Sequence, residues 1–286
     1  MIAPGGALAG RPVLLVHGQP GLGADWAAVV DRLGPGVDVL APDRPGYGAG
    51  GAAVGMAANA DILAGRLRHH GGPPAVVVGH SYGGGIAVLL AERHPDVVAG
   101  LVLVAPVGGD GSVVALDRLL AAPVVGTGAS VVALAASAWL GPRMRRLLSS
   151  LPVEWARVAA RTFPDEGLVA ATRHPSSWRA FAVEQKALVA EAPLVAKAAE
   201  ALDLPVVVVA GTRDAVVPPR ASARLAAALR ARELVLVAGA GHFLMADAPE
   251  VVVAAVDRVA SLAAAGPATL RDRAPRGGAG GTAPAS

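Results

Sequence analysis

Cysteine is absent from this chain of 286 residues. Disulfide bonds and thiolate metal sites are therefore excluded, while the redox compartment stays open. Lysine is also scarce, since 2 Lys stand against 23 Arg, and the formal net charge is only +3. The longest basic cluster, Arg-Met-Arg-Arg at 143–146, is typical of a solvated helix face, and no nucleic-acid-binding signature accompanies it. We therefore expect no nucleic-acid partner.

Long hydrophobic runs are missing as well. The N-terminus has no basic residue before Arg11 and no apolar stretch typical of a signal peptide. Apolar segments such as 129–140 are too short and too interrupted to span a bilayer. These absences predict a soluble, cytoplasmic protein without stable membrane insertion. Hydrophobic residues nevertheless make up 53% of the chain and charged residues 16%, so a sizeable core can be buried.

Short β-branched runs recur along the chain and predict strands. They are Val13–Val16, Val37–Leu40, Ala75–Val78, Val98–Val104, Pro205–Ala210 and Leu234–Val237. Most are continuously apolar, as are strands buried on both faces of a parallel sheet. Stretches rich in Ala, Leu and Arg lie between them, at about 54–70, 83–94, 219–231 and 248–264, and predict helices. This alternation indicates an α/β fold with a doubly wound, mostly parallel sheet.

The alternation stops between Pro106 and Asp203, where no clear strand is found and several helical segments are broken by proline. A structureless loop of that length would be abnormal, so we predict an inserted helical lid at 106–202. The core would then comprise 1–105 and 203–265, and the Gly-, Ala- and Pro-rich tail at 266–286 is predicted to be disordered. Five of the nine aromatic residues fall in the lid, where they are equally compatible with lining a pocket and with anchoring the lid.

The stretch Gly79-His80-Ser81-Tyr82-Gly83 lies between a predicted strand and a predicted helix. The pattern Gly-x-Ser-x-Gly in this context is typical of a sharp turn that exposes a nucleophilic serine. Its glycines remove side chains that would clash across the turn. The alternative is that Ser81 simply caps the helix, with the glycines serving helix–strand packing.

Two further polar residues follow predicted strands in the same way. Asp214 comes after Pro205–Ala210 and could be an ordinary helix cap. His242 lies in the Gly-rich loop after Leu234–Val237, where a histidine rarely serves packing. The carboxyl ends of parallel strands meet at one edge of the sheet, where open α/β sheets place their sites. Ser81, Asp214 and His242 would therefore supply a nucleophile, an orienting carboxylate and a general base.

The loop His17-Gly18-Gln19-Pro20-Gly21 follows the first predicted strand. Alone it is more typical of a plain Gly-Pro turn. Beside the serine turn, however, it can offer the Gln19 N–H together with the Tyr82 N–H as preorganised donors for a developing oxyanion.

Taken together, these motifs resemble those of the α/β-hydrolase fold family. The matching residues are His17–Gly21, Asp43–Gly48, Gly79–Gly83, Asp214 and Gly241–Phe243, and the resemblance covers about 11–264. It implies Ser81 as nucleophile, His242 as base, Asp214 as acid, and the Gln19 and Tyr82 amides as oxyanion hole. Asp43 and Arg44 match a motif that is mainly structural in the family, so they are left out of the predicted site. Family members usually carry an antiparallel strand pair before the first loop, and only ten residues precede Arg11 here.

Ser81 also narrows the reaction that the resemblance implies. Related epoxide hydrolases and dehalogenases use Asp at this position, so the expected reaction is hydrolysis of a carboxylic ester, lactone or thioester through an acyl-enzyme, with a small apolar acyl substrate. Carbon–carbon bond hydrolysis and cofactor-free perhydrolysis use the same machinery and stay open, as does a receptor-like member with little turnover. Asp110 is an alternative acid. We expect no metal and no cofactor, because histidines do not pair at ligand spacing and Gly83-Gly84-Gly85 lacks the dinucleotide pattern. The oligomeric state is left open.

Overall fold

The computed structural model describes residues 8, 10–48, 51–108, 111–122, 125–160 and 175–265. Two predictions lie outside these residues: the disordered tail at 266–286 and the alternative acid Asp110.

Six strands form one sheet, in the order β2-β1-β3-β4-β5-β6. They are β1 (Val13–Val16), β2 (Val39–Leu40), β3 (Ala75–His80), β4 (Val98–Val104), β5 (Val206–Gly211) and β6 (Glu233–Val237). Every pairing is parallel. The prediction of a doubly wound sheet is confirmed, and in the described part of the chain the two-residue β2 forms the edge where the family resemblance implied antiparallel strands.

Ten α-helices are described. They are α1 (Ala27–Leu33), α2 (Met56–His70), α3 (Tyr82–Arg93), α4 (Ala115–Ala121), α5 (Val125–Ser150), α6 (Glu154–Ala160), α7 (Pro175–Ala201), α8 (Pro219–Ala228), α9 (Leu244–Asp247) and α10 (Pro249–Ala265). Alternate side chains of each strand face opposite cores. In β1, Leu14 belongs to the buried cluster that includes residues of α2, α3 and α8, whereas Leu15 belongs to the cluster that includes residues of α1 and α10. The helices therefore cover both faces of the sheet, as its continuously apolar strands require.

Four helices, α4 to α7, fill the predicted insertion between β4 and β5. The last of them, α7, joins the core, because its residues Leu188, Val195 and Ala199 are buried in the cluster around α3. Trp139 and Trp155, by contrast, are 62% and 67% exposed, so neither ring lines an interior pocket. None of the described helices combines the length and apolar character needed to cross a membrane.

Candidate active site

Ser81 lies at the sharp turn between β3 and α3. Its backbone has φ 51° and ψ −118°, a strained conformation that L residues rarely adopt. The turn tolerates no side chain at its flanks, since a Cβ on Gly79 would overlap the Gly83 carbonyl oxygen, and one on Gly83 would overlap the Val16 carbonyl oxygen. The Ser81 side chain makes no capping hydrogen bond to α3. The helix-cap alternative therefore has no support in this geometry.

Asp214 and His242 are brought together by neighbouring strands. Asp214 follows β5 and His242 follows β6, and the Asp214 Oδ2 atom lies 2.8 Å from His242 Nδ1. The other oxygen, Oδ1, accepts hydrogen bonds from the backbone N–H groups of Val216 at 2.8 Å and Val217 at 2.9 Å. Asp214 thus organises its own turn with one oxygen and holds the histidine with the other. A proton on Nδ1 leaves Nε2 with the free lone pair that a general base needs.

His80 connects this pair to the serine turn. Its ring centroid lies 4.7 Å from that of His242, and its Nε2 donates a hydrogen bond to the His242 carbonyl oxygen at 3.0 Å. Burial, followed by repulsion from His242, lowers the pKa of His80 well below its usual value. His80 is therefore a neutral donor that holds the His242 backbone against the residue that directly precedes Ser81. Sequence reasoning missed this role, although His80 directly precedes Ser81.

The loop after β1 lies against the same turn, because β1 and β3 are neighbours in the sheet. A Cβ on Gly18 would lie 3.2 Å from Ser81 Cβ, so the loop backbone passes close beside the serine. Tyr82 is the first residue of α3, where backbone N–H groups have no intrahelical acceptor. The Gln19 side chain points toward α7 instead, since its Nε2 donates to the Phe181 carbonyl oxygen at 3.2 Å and to Gln185 Oε1 at 3.1 Å.

A buried ion pair lies behind that loop and was also missed. Arg44, left out of the predicted site, pairs with Glu184 of α7, and both side chains are 0% exposed. Burial alone would lower the pKa of Arg44, but Glu184 and Tyr47 raise it, whereas burial raises the pKa of Glu184 against the effect of Arg44. No sequence pattern indicated Glu184, which lies 140 residues from its partner.

His17, the first residue of the loop after β1, is also buried. Its Nε2 accepts a hydrogen bond from the Arg44 backbone N–H at 3.0 Å, and its Nδ1 lies 2.9 Å from the Gly18 carbonyl oxygen. Burial and the charge of Arg44 lower the pKa of His17 well below its usual value. The ring is therefore neutral, with Nδ1–H donating, and it stiffens the loop.

No three His, Asp or Glu side chains converge on a point that could hold a metal ion, as far as the described ranges extend. The expectation of a reaction without metal or cofactor stays a prediction.

The strand order, the sharp turn at Ser81 and the loops after β1, β5 and β6 agree with one family of known proteins. A family model described as the alpha/beta hydrolase fold matches residues 11–249. The chain belongs to the α/β-hydrolase fold family. The fold and family predicted from the motifs are thereby confirmed, while the roles of Ser81, Asp214, His242 and the two amides stay predictions.

Known hydrolases of this family resemble the chain over different lengths. The lipase LipV of Mycobacterium tuberculosis is 42% identical over 116 residues, which are 39% of this chain and 44% of LipV. The 2-hydroxymuconate semialdehyde hydrolase of Pseudomonas sp. (strain CF600) is 37% identical over 107 residues, 35% of this chain and 38% of that enzyme. A thermophilic esterase from Thermogutta terrifontis superposes with a TM-score of 0.65 at 25% identity, covering 87% of this chain and 89% of the esterase. The chain thus spans less than half of the two sequence relatives named here.

Proposed function

We propose that this α/β hydrolase is a serine hydrolase that cleaves a small apolar carboxylic ester, or a related lactone or thioester, through an acyl-enzyme. The observation that carries the proposal is the buried hydrogen bond of 2.8 Å between His242 Nδ1 and Asp214 Oδ2, in a pair that His80 connects to the strained turn of Ser81. The esterase and lipase relatives support the same reaction class. The predicted cytoplasmic location and the division into core and lid belong to this proposal.

In the acylation step, Ser81 Oγ attacks the carbonyl carbon of the ester while His242 Nε2 takes the hydroxyl proton. Asp214 keeps the imidazole in the required tautomer and stabilises the imidazolium that forms. The carbonyl oxygen becomes an oxyanion, which accepts hydrogen bonds from the Gln19 and Tyr82 N–H groups. The tetrahedral intermediate collapses, the C–O bond to the alcohol breaks, and His242 returns the proton to the departing alkoxide.

The deacylation step repeats this sequence with water. His242 removes a proton from the water molecule, whose oxygen attacks the acyl carbon in the same oxyanion hole. Collapse of the second intermediate releases the carboxylic acid and restores the Ser81 hydroxyl. No group beyond the chain's own residues is needed for the balance of atoms in either step.

Hydrolysis of short p-nitrophenyl esters by wild type and Ser81→Ala tests the proposal. The variant is expected to lose about 10³- to 10⁶-fold in kcat, since the nucleophile is removed while the fold is kept. Ser222→Ala is the matched control, because Ser222 is a fully buried serine on α8 whose Oγ has no hydrogen-bond partner. Equal rates in wild type and Ser81→Ala would refute the enzyme assignment and favour a receptor-like member with little turnover.

Carbon–carbon bond hydrolysis is the second candidate, favoured by the similarity to 2-hydroxymuconate semialdehyde hydrolase. The same serine, histidine and oxyanion donors would act on a diketone, with a carbanion rather than an alkoxide as leaving group. A panel of esters, lactones, thioesters and vinylogous diketones, with a perhydrolysis assay in acetate and hydrogen peroxide, separates the candidates by kcat/KM.

A further inference from the structure

The Arg44–Glu184 pair is completely enclosed. Glu184 Oε2 accepts hydrogen bonds from the Tyr47 hydroxyl at 2.7 Å and from Arg44 Nη2 at 3.3 Å, and Oε1 accepts one from Arg44 Nη1. The rings of Tyr47 and Tyr82 each lie 5.1 Å from the guanidinium carbon. Water is thus excluded from the pair, and the positive charge of Arg44 is balanced by Glu184 of α7.

Arg44 also donates hydrogen bonds to the loop after β1. Its Nη2 donates to the Gly18 carbonyl oxygen at 2.8 Å, and its Nε donates to the His17 carbonyl oxygen at 3.2 Å. These are the last two carbonyl groups before Gln19. The guanidinium therefore bridges the carboxylate of α7 and the backbone of the loop.

The Gly18 carbonyl and the Gln19 N–H belong to one peptide unit. The peptide is planar and trans, so its C=O and N–H point in opposite directions. When Arg44 holds the Gly18 oxygen on one side, the Gln19 N–H must point to the other side. Rotation of the N–H away from that direction would break the hydrogen bond of 2.8 Å to Arg44.

A second contact fixes the same loop to the same helix, because the Gln19 side chain donates to the Phe181 carbonyl oxygen and to Gln185 of α7. Helix α7 therefore holds the loop in two ways. It bonds the Gln19 side chain directly, and it holds the Gly18–Gln19 peptide through Arg44. We propose that Glu184 is a positioning residue, which acts through Arg44 to aim the Gln19 N–H at the oxyanion. The proposal rests on the oxyanion role of Gln19 in the proposed function, and it makes correct seating of α7 a condition for turnover.

Two variants test this role, and both are chosen so that the protein should still fold. Glu184→Gln keeps the shape and removes the charge, while the double variant Arg44→Met with Glu184→Leu replaces the pair by apolar side chains and leaves no buried charge unpaired. We expect the double variant to lose about 10²- to 10³-fold in kcat with KM changed less than threefold, the loss typical of one oxyanion donor. Glu184→Gln should show a smaller loss of the same kind.

An inhibitor and a matched control separate aiming from general damage. The inhibition constant of a trifluoromethyl ketone, whose hemiketal oxyanion occupies the hole, should rise in the double variant by the factor by which kcat/KM falls. Leu225→Ala on α8 removes a buried leucine far along the chain from the loop and should lower stability without changing kcat. A folded double variant with wild-type kcat, or with an unchanged inhibition constant, would overturn the proposal.

A measurement independent of turnover uses the two glutamines of the chain, Gln19 and Gln185. Labelling with ¹⁵N-glutamine gives two backbone amide signals, of which Gln185 in α7 is an internal reference for the seated helix. In the double variant we expect the Gln19 amide to shift and to exchange faster while Gln185 stays protected. An unchanged Gln19 signal overturns the proposal even if Ser81→Ala shows that the protein is no hydrolase, so the two failures are distinguishable.

Discussion

Two buried carboxylates flank the turn that carries Ser81, and they serve their partners in different ways. Asp214 is held by two backbone N–H groups and meets an imidazole, which can gain and lose a proton. Glu184 receives side-chain donors, from Arg44 and Tyr47, and meets a guanidinium, which stays charged. The first pair suits proton transfer and the second suits permanent orientation. The comparison teaches that burial of a charge pair does not by itself indicate chemistry.

The largest expected difference between the pairs is in turnover. Asp214→Ala should lower kcat about 10⁴-fold, since the imidazole loses the carboxylate that fixes its tautomer. The loss in the free energy of unfolding should stay below that of Glu184→Leu, since Ala leaves a neutral imidazole and two backbone N–H groups without an acceptor but no unpaired buried charge. The predicted control is Asp110→Ala, measured with the same p-nitrophenyl ester. A larger loss in Asp110→Ala than in Asp214→Ala would move the acid to Asp110.

In unfolding experiments, the Arg44–Glu184 pair should show the larger effect of the two. Glu184→Leu leaves Arg44 as an unpaired buried charge, which is expected to lower the free energy of unfolding by about 3–5 kcal/mol. Addition of Arg44→Met should recover at least about 2 kcal/mol, because no charge is then left without a partner. Guanidinium chloride unfolding followed by circular dichroism measures both values.

An exposed pair is the control for these unfolding experiments. Arg93 and Asp61 are 42% and 45% exposed and 2.9 Å apart, so Asp61→Asn should cost less than about 1 kcal/mol. If Glu184→Leu were equally mild, the interior around Arg44 would have to admit water. The proposed difference between the water-excluded Arg44–Glu184 pair and the Asp214–His242 pair would then be wrong.

The pH dependence of the free energy of unfolding should report on two further buried groups near the pairs, His17 and His80. His17 and His80 have pKa values lowered by burial, so the folded protein keeps both neutral while the unfolded chain binds protons below about pH 6.5. Stability should therefore fall as the pH drops below that value, by about 1.4 kcal/mol per pH unit for each histidine. The raised pKa of Glu184 acts in the opposite direction at lower pH.

Variants isolate the histidine contribution from that of Glu184. Between pH 6.5 and 5.5 the free energy of unfolding of wild type should fall by about 1 kcal/mol more than that of His80→Asn, and between pH 7.5 and 6.5 by less than about 0.5 kcal/mol more, because the unfolded histidine takes up its proton gradually around pH 6.5. His69→Asn, at an exposed position on α2, is the matched control and should keep the wild-type slope. Identical slopes in His80→Asn and wild type would mean that His80 binds a proton in the folded protein.

What the sequence could predict also differs between the two pairs. The meeting of Asp214 with His242 follows from local rules, because continuous apolar strands imply a parallel sheet and residues after adjacent strands share one edge. The Arg44–Glu184 contact depends on how α7 lies on the core, which the periodicity of Ala and Leu in 175–201 does not determine. The same limit explains why Trp139 and Trp155 could not be assigned to a pocket or to the surface before the helices were placed.

The smallest expected effect concerns Gln19, which follows the Gly18 carbonyl that Arg44 holds. Gln19 is proposed to act through its backbone N–H, so Gln19→Ala keeps the oxyanion donor and removes only the side-chain hydrogen bonds to Phe181 and Gln185. Each such bond contributes about 0.5–1.5 kcal/mol to stability, and only the part that differs between the ground state and the transition state changes kcat, so we expect a loss of less than about tenfold. Gln185→Leu removes one of the same contacts from the α7 side and should have no larger effect on the same ester.

A loss in Gln19→Ala as large as that of the Arg44→Met, Glu184→Leu double variant would show that the side chain, not the peptide held through Arg44, sets the direction of the Gln19 N–H. The ratio of the two losses therefore measures how α7 holds the loop. A ratio near 1 assigns the loop to the Gln19 side chain. A loss at least tenfold larger in the double variant assigns it to the charge pair, because Arg44, unlike the Gln19 side chain, acts on the Gly18 carbonyl that shares a peptide plane with the donor.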